Sequence, residues 1–320
     1  MILSASTEPS VNVAAGAEPN GGPGSSENLQ MRQFAFSVGI TSNSAMLLRD
    51  LAQIYPVLSP SALNRDLVTR AMALHVRRIS AERAAEHWVL DLDGQVVVVD
   101  SEPALLGWIE YAVEETMAEA LRDYVLIHAG VIARGEGGIV VPGGSGAGKS
   151  TLVAALNLDG FRYFSDEIAV VDGRSSRLYP FPKAICLKED GIRVLSRAYP
   201  NWKTPTVVVD RTDGQRVYFL DSRGDSPVDT DVPVRYVIIP NRRPGVVACL
   251  ESVSRAGALL EIARQSLNLP HHGRSGIEVI SRIVEEADCY RLTYDNLRDA
   301  VETVSALTSP VARQKQASRS

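Results

Sequence analysis

Gly143-Gly144-Ser145-Gly146-Ala147-Gly148-Lys149-Ser150 is the stretch on which the reading of this chain turns. It satisfies G-x-x-x-x-G-K-[ST] at every specified position, directly after the apolar run Ile139-Val140-Val141 and directly before Thr151 to Leu158, which has helical periodicity. A loop that folds its backbone N–H groups around an anion needs glycines, which tolerate unusual φ and let the chain approach closely. Gly143, Gly144, Gly146 and Gly148 supply them. Lys149 would then reach the β- and γ-phosphates of a nucleotide, Ser150 would coordinate Mg²⁺, and Thr151 would add a further phosphate contact at the helix N-terminus. With Ser145 and Ala147, these residues form the expected phosphate cradle. A cradle of this kind does not identify a reaction, because many chemistries share it.

Phosphoryl transfer also needs a carboxylate on the metal side and a group that orients or deprotonates the acceptor. Two candidate sources follow the loop helix. Asp166 and Glu167 come just after the strand Phe161 to Phe164, and as adjacent acids on extended backbone they would point to opposite sides, one toward metal and one toward substrate. Asp172 ends the more hydrophobic run Ile168 to Val171 and would serve as a metal-side acid, but Asp172-Gly173-Arg174 reads equally as the start of a turn.

Outward from this centre, Val125 to Ala133 is a strand and Arg134 to Gly138 its turn, while Gly160 suits the C-cap of the loop helix. Upstream, alternation at Phe34, Phe36, Val38 and Ile40 gives a strand. Ala45 to Leu51 and Leu63 to Val76 carry apolar residues at mixed helical spacing. Trp88 to Leu92 and Gln95 to Val99 flank Asp93-Gly94, a hairpin dipeptide. Pro103 to Leu121 is a helix with Leu105, Ile109, Ala112, Val113, Met117 and Ala120 on one face and Glu110, Glu114, Glu115 and Glu119 mostly on another. The expected organisation is a disordered tail over 1–30, an α+β unit over 31–123, an α/β nucleotide-binding domain over 124–308 and a flexible tail over 309–320.

Composition bounds the partners. Of 320 residues, 33 are Lys or Arg and 38 Asp or Glu, so a net charge of -5 gives no global attraction to nucleic acid or anionic lipid. No apolar run approaches the roughly 20 residues of a membrane span, and residues 1–30 hold no Lys or Arg for a signal peptide. Three cysteines without zinc spacing or disulfide density fit a reducing compartment, so a cytoplasmic protein is expected. His271-His272 read as a turn, not a metal site, and Arg242-Arg243 as solvated loop charge after a strand over Arg235 to Ile239.

Ile127-His128-Ala129-Gly130, Gly143 to Ser150, Gly160 to Glu167, and Pro180-Phe181-Pro182 through Leu187-Lys188 together resemble the catalytic domain of HPr kinase/phosphorylase. They are more similar still to HPr-kinase-related proteins that phosphorylate lasso-peptide precursors. The resemblance implies an α/β P-loop kinase core similar to phosphoenolpyruvate carboxykinase, with an N-terminal α+β extension, that uses ATP and Mg²⁺ to phosphorylate a serine hydroxyl of a peptide or protein. It implies Asp166 as general base, Lys149 on the transferring phosphate, His128 near the phosphates or the base, and Ser150 with Glu167 on the metal. Glu167 stands where the family has a second Asp, so which acid serves the metal is left open. Lys188 would neutralise transferring phosphate or hold an acidic substrate segment. The family's phosphorylase signature is not found here, and its hexamers do not transfer to a chain with a different N-terminal segment, so homo-oligomer assembly stays open. A small-molecule kinase, or a regulatory ATPase without a phosphoacceptor, is the alternative.

Overall fold

The structure, a computed structural model, describes residues 27–33, 36–56, 70–79, 87–92, 94–181, 183–220 and 230–309. In chain order the elements are β1 (Glu27–Gln33), β2 (Phe36–Ser42), α1 (Ala45–Ile54), β3 (Arg70–Ile79), β4 (His87–Leu92), β5 (Gln95–Val99), α2 (Glu102–Ala120), β6 (Tyr124–Arg134), β7 (Gly137–Pro142), α3 (Lys149–Leu158), β8 (Arg162–Ser165) and β9 (Ile168–Asp172). There follow β10 (Arg177–Tyr179), β11 (Ile185–Lys188), α4 (Glu189–Ala198), β12 (Val207–Asp210), β13 (Arg216–Leu220), β14 (Val232–Arg242), β15 (Cys249–Ser252), α5 (Arg255–Gln265), α6 (Leu269–His272), α7 (Arg274–Glu286), β16 (Asp288–Tyr294) and α8 (Leu297–Leu307). The chain is thus mixed α/β, and no helix among the described residues is long and apolar enough to cross a membrane.

Two compact units emerge. The first comprises Met1–Arg122 with Pro182–Ala184 and Pro205–Asp221, and the second holds the rest. The long segment of the first unit ends at Arg122, where the sequence reading sets its boundary after residue 123, and the first unit also takes two segments that a contiguous reading assigns to the second. The expected tails over 1–26 and 310–320, and the 63–69 part of the second helical stretch, lie outside the described residues. Within 27–30 the tail reading is corrected, because these residues belong to β1 and pair with β2.

In the first unit five strands run in the order β1 to β5, with β2 and β3 parallel and the other pairs antiparallel. Residues 70–76, placed on a helical spacing, form strand β3 instead. Leu74 and Val76 are buried while Ala73, His75 and Arg77 are exposed, a period of two that only a one-sided strand produces. Ser101 caps α2 by accepting from the Ala104 N–H at 3.3 Å, with Pro103 in the first turn where its missing N–H costs nothing. The helix buries Leu105, Ile109, Val113 and Met117 as its periodicity predicts. It also buries Glu110, which the helical wheel put on the polar face. Lys183 Nζ lies 2.6 Å from Glu110 Oε1, and Arg211 Nε lies 3.1 Å from both carboxylate oxygens. A buried carboxylate is tolerable only when paired and hydrogen-bonded. Both cations come from segments roughly 70 and 100 residues away in sequence, which a local pattern cannot reveal.

In the second unit the sheet order is β10-β9-β6-β7-β14-β16-β15, with β8 on β6 and β10 also on β14. Strands β7, β14 and β16 are parallel, and β6 runs antiparallel to β7. Every residue of β7 is buried, as expected of a strand covered on both faces. The loop 143–148 therefore leaves the carboxyl end of a buried strand and leads directly into α3.

Candidate functional site

The phosphate-loop residues lie between β7 and α3, as the motif requires. Gly148 is the N-cap of α3 with φ +85°, and Gly146 has φ +82°, backbone conformations costly for any residue with a Cβ. Among the described residues no side chain caps α3. Its first N–H groups therefore suit a bound acceptor, and the helix dipole favours an anion there.

Register explains how His128 comes to the loop. Ala129 pairs with Pro142 in the antiparallel β6–β7 ladder, so His128 sits beside Gly143 at the loop's entrance. Its Nε2 is 3.0 Å from Lys149 Nζ, and Lys149 also donates to the Gly144 carbonyl at 3.1 Å. An ammonium has only donors, so Nε2 must accept and the ring is neutral. Burial and the neighbouring Lys149 charge hold the His128 pKa down at about 4, against opposing pulls from Glu167. Lys149 itself is buried, and its pKa is drawn down by burial to about 8. The carboxylates of Glu167 and Asp166 pull it back up, and Lys188 pushes it further down. Lys149, His128, Asp166 and Glu167 are thus one electrostatic neighbourhood.

The two acids are placed by the opposite edge of β6. His128 pairs with Ile168 and Val131 with Ser165, which brackets 166–167 in a bend opposite Ala129 and Gly130. The bend replaces the extended backbone expected there. Ser165 Oγ accepts from the N–H groups of Glu167 at 3.2 Å and Ile168 at 2.9 Å, and the Glu167 carbonyl accepts from Ala129 N–H at 3.1 Å. Asp166 is buried, with Oδ1 accepting from Tyr163 Oη–H at 2.8 Å and Oδ2 from Cys186 N–H at 3.1 Å. Glu167 is half-buried. Ser165→Ala would strand two N–H groups of this bend, one of them buried, so a loss of about 1–3 kcal/mol is expected, read as a lowered midpoint in thermal or urea unfolding. A midpoint equal to wild type would show that the bend holds without the hydroxyl.

Tyr163, Ser165 and the Cys186 N–H escaped the sequence reading. Tyr163 and Ser165 stand within three residues of Asp166, and that proximity was the available signal; Cys186 approaches from 20 residues away. Tyr294, at the carboxyl end of β16, is another unforeseen neighbour, since a Cβ on Gly148 would sit 3.2 Å from its hydroxyl.

Asp172 does not join the site. Its Oδ1 accepts from the N–H groups of Arg174 and Ser175 and from Ser175 Oγ, which is the turn reading. Burial pushes its carboxyl up, but these bonds outweigh that and hold it below the ordinary range. It pairs with Tyr124, four residues along β6 from His128, a separation of about 13 Å. His271 and His272 end the short helix α6 instead of forming a turn, and His272 Nε2 bonds the Tyr124 carbonyl. Arg242 and Arg243 are exposed, although β14 extends through Arg242.

The donor set suits a hard cation with nucleotide. The Ser150 hydroxyl lies in the first turn of α3 with no hydrogen bond to a described residue, and Glu167 brings a carboxylate to the same neighbourhood. No model of a known protein family matches the chain, and no curated protein does.

Proposed function

We propose that this chain is an ATP-dependent kinase with a P-loop core of the HPr kinase/phosphoenolpyruvate carboxykinase type, which transfers the γ-phosphate of ATP to a serine hydroxyl of a peptide or protein. A precursor peptide of a ribosomally made natural product such as a lasso peptide is the acceptor class the resemblance favours. The observation that carries this reading is the convergence on one loop of an uncapped helix N-terminus, a buried lysine and a buried aspartate.

In this reading the loop N–H groups and Lys149 hold the phosphates, and the hydroxyl approaches in line with the bond to be broken. The serine oxygen–phosphorus bond forms as the bond from Pγ to the bridging oxygen breaks, ADP leaves, and the hydroxyl proton passes to Asp166. Tyr163 and the Cys186 N–H fix the direction in which the carboxylate presents its lone pairs. Lys149 stabilises charge on the transferring group, and neutral His128 keeps the lysine aimed without adding a competing charge. Ser150 and Glu167 would hold Mg²⁺, which supplies charge neutralisation at the phosphates when bound.

The test is to incubate the chain with γ-labelled ATP and serine-containing precursor peptides, with small hydroxylated metabolites as controls. Label on a peptide serine supports the reading. Label on a metabolite makes it a small-molecule kinase, and label only in free phosphate makes it an ATPase.

A further inference from the structure

We propose that Lys188 reads the terminal phosphate of the bound nucleotide, so that this site selects a nucleoside triphosphate over the diphosphate. The inference rests on the nucleotide-binding reading above and deepens it.

The β11–α4 segment packs against the elements that flank the phosphate loop. The Cys186 N–H holds Asp166, Leu187 is buried, and Gly191 in the first turn of α4 lies so close to α3 that a Cβ on it would be 2.8 Å from Thr151 Oγ1. Lys188 sits between these fixed points. Its side chain is exposed, yet its Nζ donates to Ser145 Oγ at 3.1 Å, which brings the ammonium to the outer rim of the loop. Two carboxylates, Glu189 and Asp190, follow it directly, but Asp190 pairs with Arg193 and Lys188 takes a neutral hydroxyl. The backbone fixes where this side chain begins, and the hydrogen bond to the Ser145 hydroxyl brings its ammonium to the rim.

A neutral hydroxyl is a modest acceptor and occupies one of the ammonium's three donors, so phosphate oxygen would be the better partner. The two lysines divide the loop between them. Lys149 is buried at its floor against the Gly144 carbonyl, and Lys188 stands at its rim. Two ammonium groups thus face the same loop, one from its floor and one from its rim. Like charges aimed at one loop are unfavourable until an anion lies between them. The loop N–H groups serve the phosphates common to ADP and ATP and Lys149 spans the β- and γ-phosphates from the floor of the loop, so the rim cation adds a partner specifically for the phosphate that only the triphosphate carries.

The experiment is titration calorimetry of the full chain with Mg·ATP and Mg·ADP, on wild type, Lys188→Met and Lys188→Arg. Wild type is expected to bind ATP more tightly than ADP. Lys188→Met should lose about tenfold in ATP affinity with ADP affinity unchanged, and Lys188→Arg should keep the preference. Equal losses for both nucleotides, or no change for either, would overturn the inference while leaving the loop a nucleotide site. A wild-type chain that binds neither nucleotide overturns the nucleotide-binding reading first and this inference with it. Matching unfolding midpoints for the three proteins, expected for an exposed side chain, tie any change in affinity to the site.

Discussion

Lys149→Met is expected to lose ATP binding and to lower phosphoryl transfer by about 100- to 1000-fold while leaving the fold no less stable at pH 7. The two halves of this expectation have different causes. Binding fails because the loop's only buried cation is gone and the phosphates lose a charge-assisted partner. Stability does not fail, because Lys149 is held in the folded chain at a cost. Its pKa stands at about 8 in place of 10.5, so folding disfavours the ammonium relative to the neutral amine by a net amount on the order of 3 kcal/mol. The sign follows from proton counting. Between pH 8 and 10.5 the unfolded chain binds more protons at this residue, so the wild type gains stability as pH rises through that window, and below pH 8 it carries the full penalty. Methionine has nothing to titrate. The unfolding midpoint of Lys149→Met relative to wild type should therefore be highest at pH 7 and fall between pH 8 and 10.5. Calorimetric ATP affinity equal to wild type would remove the loop from the mechanism, and a midpoint difference independent of pH would remove the burial argument.

Much of this site was legible because it is local. Strand, loop and helix follow one another within 22 residues, and the glycine positions carry their own conformational demand. The pairing of β6 with β7 was legible as a turn, and that turn alone brings His128 to the loop. What could not be read is held from a distance. The hydrophobic run before Asp172 suits a metal ligand and Asp172-Gly173-Arg174 suits a turn equally, and the hydrogen bonds of that turn claim the carboxylate. Glu110 looks like a surface residue on a helical wheel, and only Lys183 and Arg211, from segments that a contiguous reading gives to the second unit, make its burial affordable. Residues 70–76 failed for the opposite reason. Their apolar spacing fits two periods over so short a run, and the partners that decide for the strand are β2 and β4.

Asp166→Asn separates the base from the cradle. The carboxylate is buried between two donors, Tyr163 Oη–H on Oδ1 and Cys186 N–H on Oδ2. An amide in its place satisfies both if its oxygen accepts from Cys186, which can only donate, while its NH₂ group donates to Tyr163, whose hydroxyl can turn to accept. The substitution therefore keeps the fold, and it removes a negative charge from the neighbourhood of the phosphates. ATP affinity is expected to stay equal or tighten, the reverse of Lys149→Met. Transfer should nevertheless fall by about 100- to 10,000-fold, because an amide has no basic lone pair to take the hydroxyl proton. The measurement is label transfer from γ-labelled ATP to the acceptor at saturating nucleotide, with affinity determined separately by calorimetry. Transfer at the wild-type rate would exclude Asp166 as the base, and the same assay on Glu167→Gln then decides whether its neighbour holds that role. Loss of transfer with intact ATP binding in Asp166→Asn, set beside loss of both in Lys149→Met, would divide the site into a residue that moves the proton and one that holds the phosphate.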